Sequence, residues 1–365
     1  MYLILHGFSR RNSGDGLLVD LTLEALEAAG VERDQCHLLA LDPDSFADLD
    51  HVHCAPGEPA AQMSWRLAKA AGELASDFLF GSDVEMLARK ARGMIAVGGG
   101  YLVTDSLTRQ AGVLLNHMVQ MRVASRAQVP TIYLPQSVGP LHGPVGAMTR
   151  NLIAGIDRFY LRDDISMREL PGPNFRRCPD LAVMKLAREL PRSVDAEGTA
   201  SSTILVGRAL PDDGDYVQRL ETLSAKVDQP IWAVQADMTG PRSDRSFYRE
   251  QGWTDGGSLS QVIEQNPSSV VVSVRLHGAI ASLIAGRPAI HLSYERKGWG
   301  AYEDLGISEF VHDARCFDPD LVAAQTRELQ ISPGRFWDAI AAAVPRLKSH
   351  YDDMVADLRA RLITA

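Results

Sequence analysis

The sequence predicts an α/β protein of two domains, each built on a parallel sheet with helices on its faces. The chain has 365 residues, and a typical domain has roughly 150. Short apolar runs alternate along it with longer helical patterns, as in layered α/β domains. A polar stretch at residues 191–198 interrupts this rhythm and is typical of a linker. We therefore expect one domain over residues 1–190 and a second over residues 199–365, facing each other across a cleft.

Eight short runs predict the strands. Each is rich in β-branched or aromatic residues and does not alternate with polar ones, which indicates burial on both faces of a parallel sheet. In the order of the chain, these runs are residues 2–5, 94–97, 131–134, 158–161, 203–206, 231–234, 270–274 and 289–292.

Helical patterns follow several of these runs. One spans residues 17–29, and another spans residues 279–285 and is followed by Gly286, a residue that commonly ends helices. Residues 335–363 are helical in pattern, and Pro345 predicts a break there because proline removes a backbone hydrogen bond. We expect these C-terminal helices to pack back on the first domain.

The composition excludes several classes of protein. Asp plus Glu number 46 and Lys plus Arg 37, a net charge of -9, which disfavours nucleic-acid binding because that needs a basic surface. The four cysteines are scattered, so we expect neither a disulfide framework nor a zinc site. No run reaches the ~20 apolar residues that span a bilayer, and the first apolar run is too short for a signal peptide. These features predict a cytoplasmic protein.

Polar loops follow the predicted strands of the first domain, at the sheet edge where α/β proteins bind ligands. Asn12, Gly14 and Asp15 precede the first helix, where small residues let a ligand approach backbone N–H groups. Asp15 is equally suited to cap that helix. Gly99 and Gly100 follow a strand, where they permit close approach of a ligand or form a tight turn.

Two further strand ends of the first domain carry polar groups. Gln136 and Ser137 offer an amide and a hydroxyl beyond the third predicted strand. Arg162 follows the fourth, where its guanidinium suits a carboxylate or a phosphate. A salt bridge from Arg162 to Asp163 or Asp164 is the simpler alternative.

The second domain has the most specific pattern. Arg275, Leu276 and His277 lie between a strand and a helix, which places a cation and an imidazole beside a helix N-terminus that attracts anions. A cationic imidazole is disfavoured there unless an anion is bound, which favours ligand binding over a structural histidine. Lys297 follows the next strand, and adjacent strands would bring it near Arg275 and His277. Such a cluster suits a ligand with two anionic groups.

Several common catalytic motifs do not occur in the sequence. The glycine spacing does not fit the dinucleotide fingerprint, and neither the Walker lysine loop nor the Gly-x-Ser-x-Gly elbow is present. His51, His53 and Cys54 have no distant partners at a metal-site spacing, so we expect no metal centre.

Taken together, the segments after the strands resemble the polysaccharide pyruvyl transferase family. The matching segments keep the family's order and are residues 12–15, residues 98–100, residues 136–140, Arg162 with Ser166, residues 273–277 and residues 294–297. The resemblance implies the GT-B arrangement of two Rossmann-like domains, with phosphoenolpyruvate as the donor. It also implies a set of donor-binding residues, namely Arg162, Arg275, Leu276, His277 and Lys297.

The implied reaction forms a cyclic pyruvate ketal and needs no cofactor besides the phosphoenolpyruvate co-substrate. His277 suits proton transfer because histidine titrates near neutral pH. Arg275 and Lys297 would hold the phosphate and Arg162 the carboxylate. Asp15 is the candidate to orient or deprotonate the acceptor hydroxyl. The residues expected to line the acceptor side are Asn12, Gly14, Gly99, Gly100, Gln136 and Ser137.

The resemblance also implies the kind of acceptor, a hexose or N-acetylhexosamine in a cell-surface polysaccharide or its lipid-linked precursor. A lipid-linked acceptor would bring the protein to the inner face of the membrane as a peripheral protein. Two alternatives stay open at this point: a GT-B-type glycosyltransferase that uses a nucleotide-sugar donor, and a non-catalytic glycan-binding subunit.

Overall fold

The computed structural model describes residues 1–56, 83–190, 202–210, 214–238 and 243–364, and the linker predicted at residues 191–198 lies outside them. The chain divides into two compact units, each with its own parallel sheet. The first unit comprises residues 1–10, 15–181 and 350–365, and the second comprises residues 11–14 and 182–349. No helix among the described residues is long and apolar enough to cross a membrane.

The first unit contains an eight-stranded sheet. Its strands are β1 (Tyr2–Gly7), β2 (Cys36–Ala40), β3 (Val52–Cys54), β4 (Met94–Ala96), β5 (Gly99–Leu102), β6 (Thr131–Val138), β7 (Arg158–Leu161) and β8 (Phe175–Arg177). They lie in the order β3-β2-β1-β4-β6-β7-β8, and β5 pairs with β6. Between β1 and β4 the direction of winding reverses, which makes the Rossmann-like switch point where such sheets bind ligands.

Helices flank this sheet and bury its apolar faces. They are α1 (Ser13–Ala29), α2 (Asp83–Ala88), α3 (Leu107–Asn116), α4 (Met118–Arg126), α5 (Gly143–Ala154) and α6 (Asp164–Glu169). Leu3, Leu5 and Phe159 are wholly buried in the core of this unit. α1 begins four residues earlier than predicted, because the Asn12 side chain accepts a hydrogen bond from the backbone N–H of Gly14 (3.3 Å) and so supports the first turn.

The second unit contains a six-stranded sheet. Its strands are β9 (Ser202–Val206), β10 (Pro230–Val234), β11 (Asp255–Ser258), β12 (Ser269–Ser273), β13 (Ala289–Ser293) and β14 (Val311–Asp313). The helices that begin after residue 180 are α7 (Leu181–Glu189), α8 (Tyr216–Lys226), α9 (Asp244–Gln251), α10 (Leu259–Gln265), α11 (Leu276–Ile284), α12 (Arg296–Asp304), α13 (Pro319–Ile331) and α14 (Gly334–Leu362). The strand order is β11-β10-β9-β12-β13-β14, so this sheet has its switch point between β9 and β12.

The α/β class and all eight predicted strands are confirmed, but besides the start of α1 two further boundaries were wrong. β6 continues through Pro135, so Gln136 and Ser137 lie within the strand rather than after it. α14 is continuous through Pro345 rather than broken there. Pro345 and Ala341 are both exposed, so water can bind the carbonyl that proline leaves without an N–H partner.

The end of α14 groups with the first unit. There the Asp357 carboxylate accepts hydrogen bonds from Arg158 Nε (2.8 Å) and the Tyr160 hydroxyl (2.7 Å). The Tyr2 hydroxyl donates to the Leu362 carbonyl (3.0 Å). These contacts anchor the last turns of the chain on β1 and β7.

Candidate active site

In the second unit, β12 leads into α11 through a tight serine turn. The Ser273 hydroxyl donates to the Arg275 carbonyl (2.8 Å) and accepts from the Arg275 N–H (3.1 Å). Arg275 is the helix N-cap residue and makes no side-chain cap. His277 is therefore the second residue of α11, in a first turn whose N–H groups have no partner within the helix. This geometry favours an anion beside the imidazole.

The next strand repeats this arrangement. The Ser293 hydroxyl at the end of β13 donates to the Glu295 carbonyl (2.6 Å), and Glu295 is the N-cap residue of α12. Lys297 is the second residue of α12, the position that His277 holds in α11, and its side chain lies outside the described part of the structure. β12 and β13 pair directly, with Ser273 opposite His291. Two helix N-termini thus follow adjacent parallel strands at one sheet edge.

Glycine occupies the third position of both helices because polar side chains press on it. A Cβ on Gly278 would lie 2.1 Å from Gln235 Oε1, and one on Gly298 would lie 2.3 Å from His291 Nε2. Gln235 is only 7% exposed, and among the described residues no group donates a hydrogen bond to its Oε1. An unsatisfied buried acceptor is costly, and this one lies against the backbone of Gly278 at the start of α11.

Arg275 is held by a carboxylate that the sequence did not reveal. Its Nε donates to both carboxylate oxygens of Asp244 (2.9 and 3.0 Å), which is wholly buried. Burial lowers the pKa of Arg275, but attraction to Asp244 outweighs it and the pKa is raised. The N–H groups of Gln235 and Ala236 donate to the same carboxylate (3.0 and 2.9 Å). The charge of Arg275 is thus balanced inside the protein and its fork is fixed. The only sequence signal near Asp244 is that of a helix start, in which Ser243 is followed by an acidic residue in the first turn.

A short segment from the N-terminal part of the chain, residues 11–14, completes the surroundings of His277. Ser13 donates through its hydroxyl to the Gln235 carbonyl (3.1 Å), and Asn12 forms a β-bridge with Ala236. A Cβ on Gly14 would lie 2.8 Å from Nδ1 of His277. Asn12 and Gly14, predicted to line the acceptor side, therefore lie in the second unit around the predicted donor-binding imidazole.

Asp15 groups with the first unit and is half-buried in the first turn of α1. It follows the helix start at Ser13, so it is not the cap residue. Leu276, by contrast, is buried at the start of α11 and anchors that turn.

In the first unit, Gln136 joins the strand ends of β4, β5 and β6. Its Nε2 donates to the Val97 carbonyl (3.1 Å) and to the Tyr101 hydroxyl (2.5 Å). Gln136 is wholly buried, and no group in the described part of the chain donates to its Oε1. Gly99 and Gly100 belong to β5 beside it. Gln136 thus holds the ends of these strands together from inside the sheet, and Gly100 is only partly buried.

Arg162 follows β7 in the first unit and is almost fully buried. Its Nε donates to the Ser137 hydroxyl (2.9 Å), and its Nη1 forms a short ion pair with Asp180. The simpler alternative, a salt bridge from Arg162 to Asp163 or Asp164, is wrong. Asp163 caps α6, and Asp164 pairs with Arg177 (2.8 Å). The structure thus joins Arg162 to Ser137, whereas Arg275 and His277 lie in the other unit.

A buried imidazole pair at the end of β1 was missed. His6 Nε2 lies 3.0 Å from the Tyr133 hydroxyl, and His6 Nδ1 lies 3.1 Å from His117 Nδ1. Burial, followed by the proximity of His117, lowers the pKa of His6, and burial alone lowers the pKa of His117 to about 3. His6 also has a positive φ of 67°, a strained backbone for a non-glycine residue. The only sequence signal was a histidine directly after the apolar run of β1.

The three histidines near β2 and β3 stack on one another. The ring of His37 lies over those of His51 and His53, with centroids 4.2 and 5.3 Å apart. His37 Nδ1 lies 3.0 Å from His53 Nε2, so these two nitrogens are partners of each other. Among the described residues, no group of three or more His, Cys, Asp or Glu is arranged to hold a metal ion.

Comparison with solved structures defines the class of the fold. The chain is similar to UGT73P12 of Glycyrrhiza uralensis (TM-score 0.54, 10% identity, 100% of this chain and 95% of that chain). It is also similar to UGT2 of Phytolacca americana (TM-score 0.51, 10% identity, 99% of each chain). A UDP-N-acetylglucosamine 2-epimerase is similar as well (TM-score 0.51, 10% identity, 94% and 90%). The protein thus has a GT-B-like fold with two Rossmann-like domains.

The family is more specific than the fold. The family model for polysaccharide pyruvyl transferases matches residues 12–238, and the chain belongs to that family. No curated protein matches the sequence.

Proposed function

We propose that the protein transfers the pyruvyl group of phosphoenolpyruvate to two hydroxyls of one sugar and releases phosphate. The observation that carries this proposal is the pair of serine turns after the adjacent strands β12 and β13. Each turn starts a helix, with His277 and Lys297 at matching positions. Membership of the family supports pyruvyl transfer and a saccharide acceptor.

In this proposal the donor's two anionic groups bind at the N-termini of α11 and α12. Backbone N–H groups in the first turn of each helix would donate to them, and the helix dipoles favour negative charge there. Arg275, fixed by Asp244, and Lys297 would hold the phosphate. Leu276, whose side chain is buried, would contribute its backbone N–H group to the donor site. The family resemblance assigns Arg162 to the donor carboxylate, but this side chain belongs to the first unit and is ion-paired with Asp180.

The proposed proton transfer begins at His277. Its imidazole gives a proton to the methylene carbon of the donor, and a bond forms between a sugar hydroxyl oxygen and the central carbon. The bond from that carbon to the phosphate oxygen breaks, and phosphate leaves with the electron pair. The second hydroxyl then attacks the same carbon and closes the ketal. Of the two hydroxyl protons, one restores His277 and the other leaves on phosphate, so atoms and charges balance.

The acceptor is assigned mainly to the first unit. Asp15 would orient or deprotonate a hydroxyl, and Gln136 would hold the strand ends that line the acceptor side through its bonds to Val97 and Tyr101. Ser137 and the backbone of Gly99 and Gly100 would line the same edge. We propose a hexose or N-acetylhexosamine of a cell-surface polysaccharide or its lipid-linked precursor, processed on the cytoplasmic side.

Phosphate release tests the proposal. Wild-type protein is incubated with phosphoenolpyruvate and a panel of β-galactosides, mannosides and N-acetylmannosamine conjugates. We expect acceptor-dependent release that His277→Ala abolishes and that His51→Ala, which removes an exposed histidine of the first unit, leaves unchanged. Release by His277→Ala at the wild-type rate would remove His277 from the mechanism. Thermal stabilisation by UDP- or GDP-sugars and not by phosphoenolpyruvate would support the glycosyltransferase alternative instead.

A further inference from the structure

The switch point of the second sheet carries an arginine that the proposed reaction has not used. β9 and β12 are adjacent, with Val206 opposite Ser273 at their carboxyl ends. The Val274 N–H extends this pairing by donating to the Val206 carbonyl (2.9 Å). Open α/β sheets bind ligands just beyond such a point, where winding reverses. Arg208 lies two residues past the end of β9, as Arg275 lies two residues past the end of β12.

The two arginines differ in how their charge is balanced. Arg275 is ion-paired with Asp244. Arg208 instead donates from Nη1 to the Tyr294 hydroxyl (2.6 Å), with its guanidinium carbon 4.9 Å from the centre of that ring. Within the described ranges, no carboxylate forms an ion pair with Arg208. It therefore brings a positive charge to the switch point that no carboxylate of the described residues pairs with.

The backbone that carries Arg208 is held rigidly. The Gly207 N–H donates to the Tyr248 hydroxyl (2.9 Å), which itself donates to the Ala233 carbonyl (2.7 Å). The Arg208 N–H donates to the Tyr216 hydroxyl (3.4 Å). Both tyrosines are almost fully buried. A half-buried cation on a fixed backbone, with a neutral hydroxyl as its side-chain partner, is suited to exchange that partner for an anion.

We infer that Arg208 binds the phosphate of the donor at the β9–β12 switch point and exchanges its hydrogen bond to the Tyr294 hydroxyl for one to a phosphate oxygen. This inference rests on the proposed function for the identity of the donor. It assigns Tyr294 as the residue that holds the guanidinium in place while no anion is bound. Because Asp244 balances the charge of Arg275, Arg275 then contributes more to the shape of the phosphate site than to its charge.

Calorimetric titration with inorganic phosphate tests the inference without any turnover. Hydrogen bonds to charged groups contribute about 1.5–3 kcal/mol, so we expect Arg208→Ala to raise the phosphate Kd by about 10- to 100-fold. Arg208→Lys keeps the charge but loses the planar fork, and we expect a smaller rise. Arg335→Ala, which removes an exposed arginine of the same unit, is the matched control and should bind as wild type does.

Tyr294→Phe separates binding from structure. It removes the hydroxyl that competes for Arg208, so we expect phosphate affinity equal to or above wild type. A purely structural Arg208–Tyr294 pair would instead make Tyr294→Phe and Arg208→Ala lose affinity alike, and that result would overturn the inference. Should Arg208→Ala fail to fold, Arg208→Lys should still raise the phosphate Kd, whereas Tyr294→Phe should leave it unchanged or lower it.

The outcomes separate this inference from the proposed function. Unchanged phosphate affinity in the Arg208 variants, or no phosphate binding by the wild type, overturns the inference. Phosphate binding that depends on Arg208 without any phosphate release from phosphoenolpyruvate supports the inference and counts against the proposed function. Release from phosphoenolpyruvate with a KM that rises in Arg208→Ala supports both.

Discussion

Replacing Asp244 with alanine is expected to destabilise the second unit by about 3–5 kcal/mol, because Arg275 would stay buried without a counter-charge. Side-chain exposure is 9% for Arg275 and 0% for Asp244, so water compensates little of the loss. The N–H groups of Gln235 and Ala236 would also lose their acceptor, which places the effect toward the upper end. At about 2–4 °C per kcal/mol for a unit of this size, the unfolding temperature should fall by about 6–20 °C.

Thermal unfolding followed by circular dichroism measures this shift. Asp244→Asn keeps an acceptor for the two backbone N–H groups and removes only the charge, so we expect an intermediate shift. The double variant Asp244→Leu with Arg275→Met replaces the ion pair by apolar side chains and should recover much of the lost stability. An unfolding temperature of Asp244→Ala within 2 °C of wild type would refute the reasoning. So would a double variant less stable than the single one.

Three further predictions concern the predicted site residues and the buried imidazole. Gly14→Ala places a methyl group 2.8 Å from His277 Nδ1. We therefore expect kcat for phosphate release to fall about 10- to 100-fold, with little change in unfolding temperature. An unchanged kcat would contradict the contact. Asp180→Asn leaves Arg162 buried without its carboxylate and should cost about 3–5 kcal/mol of stability, measured by thermal unfolding against the exposed control Asp164→Asn. Burial lowers the pKa of His117 from 6.5 to about 3. Between these values the unfolded state binds the extra proton, so the stability of the protein should fall as pH drops from ~6.5 toward ~3. The unfolding temperature of His117→Gln should depend less steeply on pH, and an equally steep dependence would argue against a neutral buried imidazole.

Much of the fold could be predicted because the central strands are apolar on both faces. All eight predicted strands are present, and they are buried along most of their length. The missed strands were β2, β3, β5, β8, β11 and β14. Most of these are short or lie toward a sheet edge, where polar and glycine residues are tolerated and the periodic signal is weak. β5 begins with two glycines, so its sequence pattern indicates a loop, although its backbone pairs with β6.

The candidate site was predictable where its residues share a short segment. Arg275, Leu276 and His277 lie together at the start of α11 because the chain itself joins them. The contacts of Asp244 with Arg275 and of Gln235 with Gly278 were not predictable, because they join residues more than 30 positions apart in the sequence. The position of Gly14 against His277 needed the backbone as well, since nothing in residues 12–16 indicates a partner so distant in the chain.

The most direct test of the pyruvyl-transfer proposal is the mass of the product. Wild-type protein is incubated with phosphoenolpyruvate and each glycoside of the panel, and the acceptor is analysed by mass spectrometry. We expect an acceptor whose mass has increased by one pyruvic acid less one water, with one phosphate released per acceptor modified and neither change in His277→Ala. Acceptors of unaltered mass with phosphoenolpyruvate, together with glycosylated products when a nucleotide sugar is supplied, would contradict it.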